Sequence, residues 1–399
     1  MLIHGDIKRA KVYIYVISFG AVFQGRARPW ARSIRQCSFR SMHADPAREV
    51  YVQASRKSYV TQSACVAVLE SVRKYGLPKH ISRPTMKRTR VEALPQETPL
   101  GSLFSTMSLE CIDGGFMEVP VVKPWPQLHG ILQASPEFAD FVLETVGNTA
   151  PQQLHVAIYC DEIMPGNALR HSNERKLLAF YWSLTNFRSH ISREETWFHV
   201  CAIRSNRVKL VKDGYAQIFK QLMDLFFQSP HGLRLGVMFN FPSRGLQKML
   251  FGRIPMVVGD EAALKQVWSV KGASGTMLCM QCRNVVASAS DLDTHASAES
   301  LLPSCITSLA GVVGHTDGSI QANAQFLAAQ KPRASKAAFD RLEQGLGLSF
   351  APKGALWSAD CYDYMLGGPA SATCFDWMHI FLVAGLWNTE TGLLPLRSD

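Results

Sequence analysis

Between residues 154 and 268 the chain carries an ordered series of patterns that few folds accommodate. Three apolar runs come first: LHVAIYC at 154–160, LLAFYWSL at 177–184 and WFHVCAI at 197–203. Each has the length and the aromatic or β-branched content of a strand. DGYAQIFKQLMDLFF (213–227) then places apolar residues at 215, 218, 219, 222, 225 and 226, the spacing of one helix face. LRLGVMFN (233–240) returns to strand, and IPMVVGDEAALKQVW (254–268) reads as a strand that turns into a helix at Gly259-Asp260. Strands in direct series form an antiparallel meander, whereas a strand reached through a helix lies parallel to its partner. The expectation is therefore an α/β fold, a mixed sheet with flanking helices. Its first strand lies beside the strand that follows the crossover.

That arrangement brings two carboxylates together. Asp161 closes the first strand and Asp260 closes the later one. Paired acids on rigid neighbouring elements suit a divalent cation, Mg²⁺ or Mn²⁺, which takes oxygen ligands. Glu162 and Glu261, next to them, face the other way if the strands continue, and read as ordinary solvent-facing acids. Cys279 and Cys282 form the only CxxC of the chain. The spacing suits two thiolates on one tetrahedral Zn²⁺, which needs four ligands. Candidates downstream are His295, Cys305, Cys374, Asp376 and His379. From spacing alone, zinc and an incidental pair weigh equally. A redox pair fits less well, because no thioredoxin-like context surrounds it.

Composition bounds the partners. The chain has 399 residues, and 47% apolar content is enough to build a core. Ten scattered cysteines with one close pair fit reduced intracellular thiols better than a disulfide framework. Residues 1–100 hold 18 Lys and Arg against 6 Asp and Glu, while the remainder holds 24 against 26. A basic arm ahead of a near-neutral body suits DNA or another polyanion, and equally a solvated tail. KVYIYVISFGAVF (11–23) follows Lys8 and Arg9 as in a signal peptide, but lacks a small-residue cleavage site. It is shorter than the ~20 residues of a membrane span, so no membrane partner is expected. An Arg-rich, acid-poor organelle transit peptide is a second reading of that segment. KRTR at 87–90 has the composition of a nuclear import signal.

Three blocks resemble the transposases of the CACTA (En/Spm) group and proteins derived from them. YCDEIMPGN (159–167) is similar to the family's first strand-end acid with its turn. VVGDEAALKQVW (257–268), followed by the CxxC, looks like the second. CFDWMHIFLVAGLWN (374–388) resembles the family's Asp-x-Met-His block. The same three blocks are similar to those of a multicopy set of proteins in protist genomes. The resemblance implies a ribonuclease H-like fold with a CxxC zinc-type insertion. It also implies two divalent ions for phosphoryl transfer on DNA, with Asp161 and Asp260 as catalytic ligands. A structural zinc element would comprise Cys279, Cys282, His379 and Asp376.

The implied organisation has five parts. They are a basic arm and linker (1–105), a helical lead-in (106–150), the ribonuclease H-like core (151–270), the CxxC-containing insertion (271–375) and the start of a C-terminal helix (376–399). The family places a third acid, a Glu, shortly after the Asp-x-Met-His block. Here 380–388 holds no carboxylate, and Glu390 would sit about 16 Å from His379 along a continuous helix. Asp376 is a poor substitute if it helps to organise zinc. The expected core is thus cut short. The preferred reading is a degenerate or domesticated transposase-like protein that binds DNA without catalysis, located in the nucleus or elsewhere inside the cell. The alternative is an active metal-dependent transposase or nuclease. A third reading leaves the old domain without present function.

Overall fold

The computed structural model describes residues 97–146, 153–163, 176–193, 196–228, 231–287, 301–304 and 310–376. The basic arm, His295, Cys305, His379 and Glu390 lie outside them. After a two-residue antiparallel pairing of 97–98 with 101–102 comes a longer hairpin, β1 (Phe104–Glu110) and β2 (Phe116–Val122), in register from Phe104–Val122 to Glu110–Phe116. This hairpin departs from the expected arm and helical lead-in. Its residues alternate between buried and exposed, Met117, Val119 and Val121 turning inward. Pro120 in the middle of the run disguises a strand, because proline cannot donate to a ladder.

Two helices follow, α1 (Pro124–Ala134) and α2 (Pro136–Val146), each opened by a proline whose missing N–H costs nothing there. Strands β3 (Gln153–Ile163), β4 (Leu177–Leu184) and β5 (Phe198–Arg204) then form the expected meander. Helix α3 (Gly214–Phe227) crosses over to a second hairpin, β6 (Val237–Phe241) and β7 (Leu246–Gly259), and Asp260 starts α4 (Glu261–Val267). Beyond the CxxC segment come α5 (Asp317–Gln330), α6 (Lys336–Leu346) and α7 (Ala359–Tyr364). A last short strand, β8 (Thr373–Phe375), returns to the main sheet. Residues 373–375 therefore belong to the sheet and not to an insertion beside it.

The main sheet has the order β8-β7-β3-β4-β5, with β6 paired to the first half of β7. β3–β4 and β4–β5 are antiparallel, β3–β7 and β7–β8 parallel. The fold is mixed α/β with flanking helices, as expected. The run at 154–160 extends to Ile163 because β4 keeps pairing after β7 has ended. The run at 254–260 begins eight residues earlier, where Leu246 to Leu250 pair with β6. Pro255 sits in β7 without breaking it. His155 pairs with Arg253 but Ala157 with Met256, so β7 carries one extra residue there. Such a bulge is where a strand tolerates a residue without an N–H.

One sheet face carries the core. Residues 178–184 of β4 are all buried, which explains the lack of alternation in LLAFYWSL. Trp182 lies 5.4 Å from Trp125, 5.7 Å from Phe226 and 4.7 Å from Phe198, centroid to centroid. Both indoles are satisfied, Trp125 Nε1 donating to the Phe226 carbonyl (3.0 Å) and Trp182 Nε1 to Gln127 Oε1 (3.2 Å). These contacts fasten α1 and α3 to the sheet. Trp182→Ala should therefore cost about 3–5 kcal/mol in urea unfolding. Leu210→Ala, at a side chain 57% exposed, should shift stability by no more than about 0.5 kcal/mol.

Candidate functional site

The parallel pairing ends level on three neighbouring strands. Cys160 of β3 and Phe375 of β8 both pair with Gly259 of β7. The next residues are Asp161, Asp260 and Asp376. The Tyr159 hydroxyl, within reach of both, puts Asp161 and Asp376 on one side; Asp260, just past its strand, turns its side chain to α4. Two strands come this close because Gly259 has no side chain. A Cβ there would stand 3.1 Å from both the carbonyl oxygen and the sulfur of Cys160. The Asp376 N–H extends the ladder, donating to the Gly259 carbonyl at 2.8 Å.

The expected pair, Asp161 and Asp260, is thus at the ends of adjacent strands. The structure adds Asp376, which sequence reasoning had assigned to zinc. Tyr159 Oη lies 3.2 Å from Asp161 Oδ2 and 3.5 Å from Asp376 Oδ2, within reach of both. Asp260 has a further task. Its Oδ1 accepts from the Ala263 N–H and caps α4. The neighbouring acids behave as expected, Glu162 pairing with Lys176 at 2.6 Å and Glu261 with Lys265.

Burial, followed by the charges of Asp161 and Asp376, raises the Tyr159 phenol far above its ordinary pKa. Burial, then Asp260 and Asp161, does the same to the Cys160 thiol. Tyr159 is therefore a lasting hydrogen-bond donor, and Cys160 is no nucleophile. The same face continues into an aromatic cluster. Tyr159 stacks obliquely 6.4 Å from Tyr181 and packs 5.9 Å from Trp197; Tyr181 lies 5.5 Å from His199. Tyr181 Oη and His199 Nε2 are buried without a hydrogen-bond partner.

The expected zinc set is not assembled among the described residues. Asp376 faces Tyr159, Cys374 stands exposed on β8, and His379 lies outside the described chain. Cys279 and Cys282 are hydrogen-bonded neighbours, and burial with the adjacent Cys279 pushes the Cys282 thiol up to about 11. Among the described residues, no three of His, Cys, Asp and Glu converge into a group that could hold a metal ion. No helix there is long and apolar enough to cross a membrane. The CxxC segment does grip the end of β8. Gln281 Nε2 donates to the Ala370 carbonyl (3.0 Å), and Thr373 Oγ1 reaches Met280 Sδ (3.5 Å).

No family model matches the chain, and no curated protein matches it.

His199 sets a pH dependence. Burial lowers its pKa to about 4, against an ordinary 6.5. Between these values the unfolded chain binds the proton that the folded chain refuses. Stability is therefore whole above about pH 6.5 and is lost as pH falls toward 4, by up to about 3 kcal/mol. Urea melts of wild type and His199→Phe across that window should differ in slope, the variant being flatter. Parallel curves would remove His199 as the cause.

Proposed function

We propose that this chain is a transposase-derived protein with a ribonuclease H-like core, acting on DNA through a divalent cation at the strand ends. One observation carries the reading: three neighbouring parallel strands are each followed by an aspartate, and two of these, Asp161 and Asp376, meet at Tyr159. The topology supports it. A three-strand meander followed by a crossover helix and two parallel strands beyond β3 is the arrangement that the resemblance implies.

The residues suit Mg²⁺ or Mn²⁺ in kind, since all three donors are carboxylate oxygens on rigid elements. Asp161 and Asp376 would be its first ligands, and Asp260 would join them only by releasing the Ala263 N–H of α4. When bound, the ion lowers the charge on a scissile phosphate and eases deprotonation of water. Tyr159 has one phenolic proton for two carboxylates, so it orients whichever accepts it. In this reading Asp376 would serve in place of the acid that the run 380–388 lacks. This placement moves the weight from the non-catalytic reading toward the catalytic one.

The binding-only reading keeps its own support, because Asp260 already caps α4 and the three acids do not converge among the described residues. Incubation of the full chain with nicked or pre-processed DNA ends in Mn²⁺ separates the two. Strand cleavage or joining that falls at least about 100-fold in both Asp161→Ala and Asp376→Asn would establish catalysis through these aspartates. Unchanged DNA in the wild-type lane would leave a binding protein.

DNA binding itself is assigned to the basic arm, with nuclear import through KRTR. Affinity should fall steeply with salt, as counterion release requires, and deleting residues 1–95 should abolish most of it. Binding that survives the deletion with the same salt slope would place the interface on the sheet-bearing part of the chain.

A further inference from the structure

The sheet edge that carries the aspartates also carries a basic turn. β4 runs against β3 and β5 against β4, so the last residues of β5 reach the same edge as Asp161. Asp161, Ala179 and Ala202 are level across the three strands, and Ile163, Leu177 and Arg204 are level two residues beyond. At about 4.8 Å between strands, Ala202 stands about 10 Å from Asp161, and Arg204 leaves β5 on that aspartate's face. The chain then reads RSNRVKLVK (204–212), four cations without one carboxylate.

Backbone bonds fix this turn at both ends. The Ser205 N–H donates to the Lys176 carbonyl at 3.0 Å, just ahead of β4. Beyond it the Lys212 N–H donates to the Glu110 carbonyl and the Ile112 N–H to the Leu210 carbonyl, each at 2.9 Å. Val208 and Val211 are buried beneath, while Arg204, Arg207 and Lys209 stay exposed. The neighbouring acids are already matched. Glu162 pairs with Lys176, Glu110 with Lys212 and Lys353, and Asp213 accepts the Lys353 N–H at 3.0 Å. Lys209 feels Glu162 through space, yet neither Arg207 nor Lys209 forms an ion pair among the described residues. Cations held in place without a carboxylate in contact suit an anion supplied from outside.

We propose that Arg207 and Lys209, with Arg204, hold the phosphate backbone of DNA beside the strand-end aspartates. The inference rests on the reading of this chain as a DNA-acting protein and deepens it. The basic arm supplies most of the attraction, and this turn sets where the strand lies. Carboxylates at the edge repel a polyanion, so phosphates approach them only where cations on the same edge offset that charge. The scale fits as well. One DNA strand carries a phosphate for each ~3.4 Å of helix axis, so the ~10 Å between β3 and β5 covers about three of them.

The test is the salt dependence of duplex DNA binding by the full chain, measured in EDTA so that no cleavage intervenes. Each phosphate contact contributes about 0.9 to the slope of log affinity against log salt. Arg207→Ala combined with Lys209→Ala should therefore flatten that slope by about 2. The charge-matched pair Arg244→Ala with Lys248→Ala, at the opposite end of the sheet, should leave it unchanged. A wild-type slope in the turn variant overturns the proposal. So does an equal fall in both pairs, which reports net charge alone. The slope is read apart from catalysis. A flattened slope beside a wild type that cuts nothing in Mn²⁺ keeps the turn as a DNA contact and removes the catalytic reading. An unchanged slope beside intact cleavage does the reverse.

Discussion

The parallel pairing of β3 with β7 is the constraint on which the rest depends. It joins segments that the chain separates by α3 and a whole hairpin, and it sets the level at which three strands end. Two glycines permit it. A Cβ at Gly252 would meet the Leu154 carbonyl at 2.7 Å and Leu233 Cδ1 at 2.3 Å; Gly259 plays the same part at the other end. Between them the bulge at Pro255 absorbs one residue within the stretch 251–259 that pairs with β3, while residues 246–250 pair with β6. A one-residue slip would turn Asp161 to the face packed by Trp182 and Phe226, where an ionised carboxylate finds no partner.

The sheet separates two kinds of surface. The face toward α1 and α3 is a dense aromatic core. The face bearing Tyr159, Tyr181 and His199 mixes rings with polar atoms, two of them buried and unsatisfied. The CxxC segment bears on this edge mechanically. Through Gln281 and Thr373 it adds a hold on the short β8 beside the ladder to β7.

Much of this was legible in the sequence. The meander, the crossover helix and the strand-to-helix turn at Gly259-Asp260 follow from periodicity, because each element has a face committed to the core. A crossover back past the meander allows Asp161 and Asp260 to end neighbouring strands, which the parallel pairing of β3 with β7 realises. What periodicity missed was short or interrupted. β8 has three residues, too few to show a period, so Asp376 looked like part of a zinc block. β2 carries Pro120 and read as non-strand.

The order of strands also sets a timetable for synthesis. Roughly a hundred residues must be made between β3 and the β7 segment that pairs with it. At ribosomal speed that interval is on the order of 5–20 s. Throughout it β3 has a partner in β4 but an open edge on the other side, rich in Val, Ile and Tyr. Such an edge is a template for pairing with other chains. The helix α3 is made within this gap and can cover the apolar face of the meander, yet it cannot close the edge. Yield from heterologous expression will therefore be governed by how long that edge stays open, and slower translation upstream of β7 will lower it.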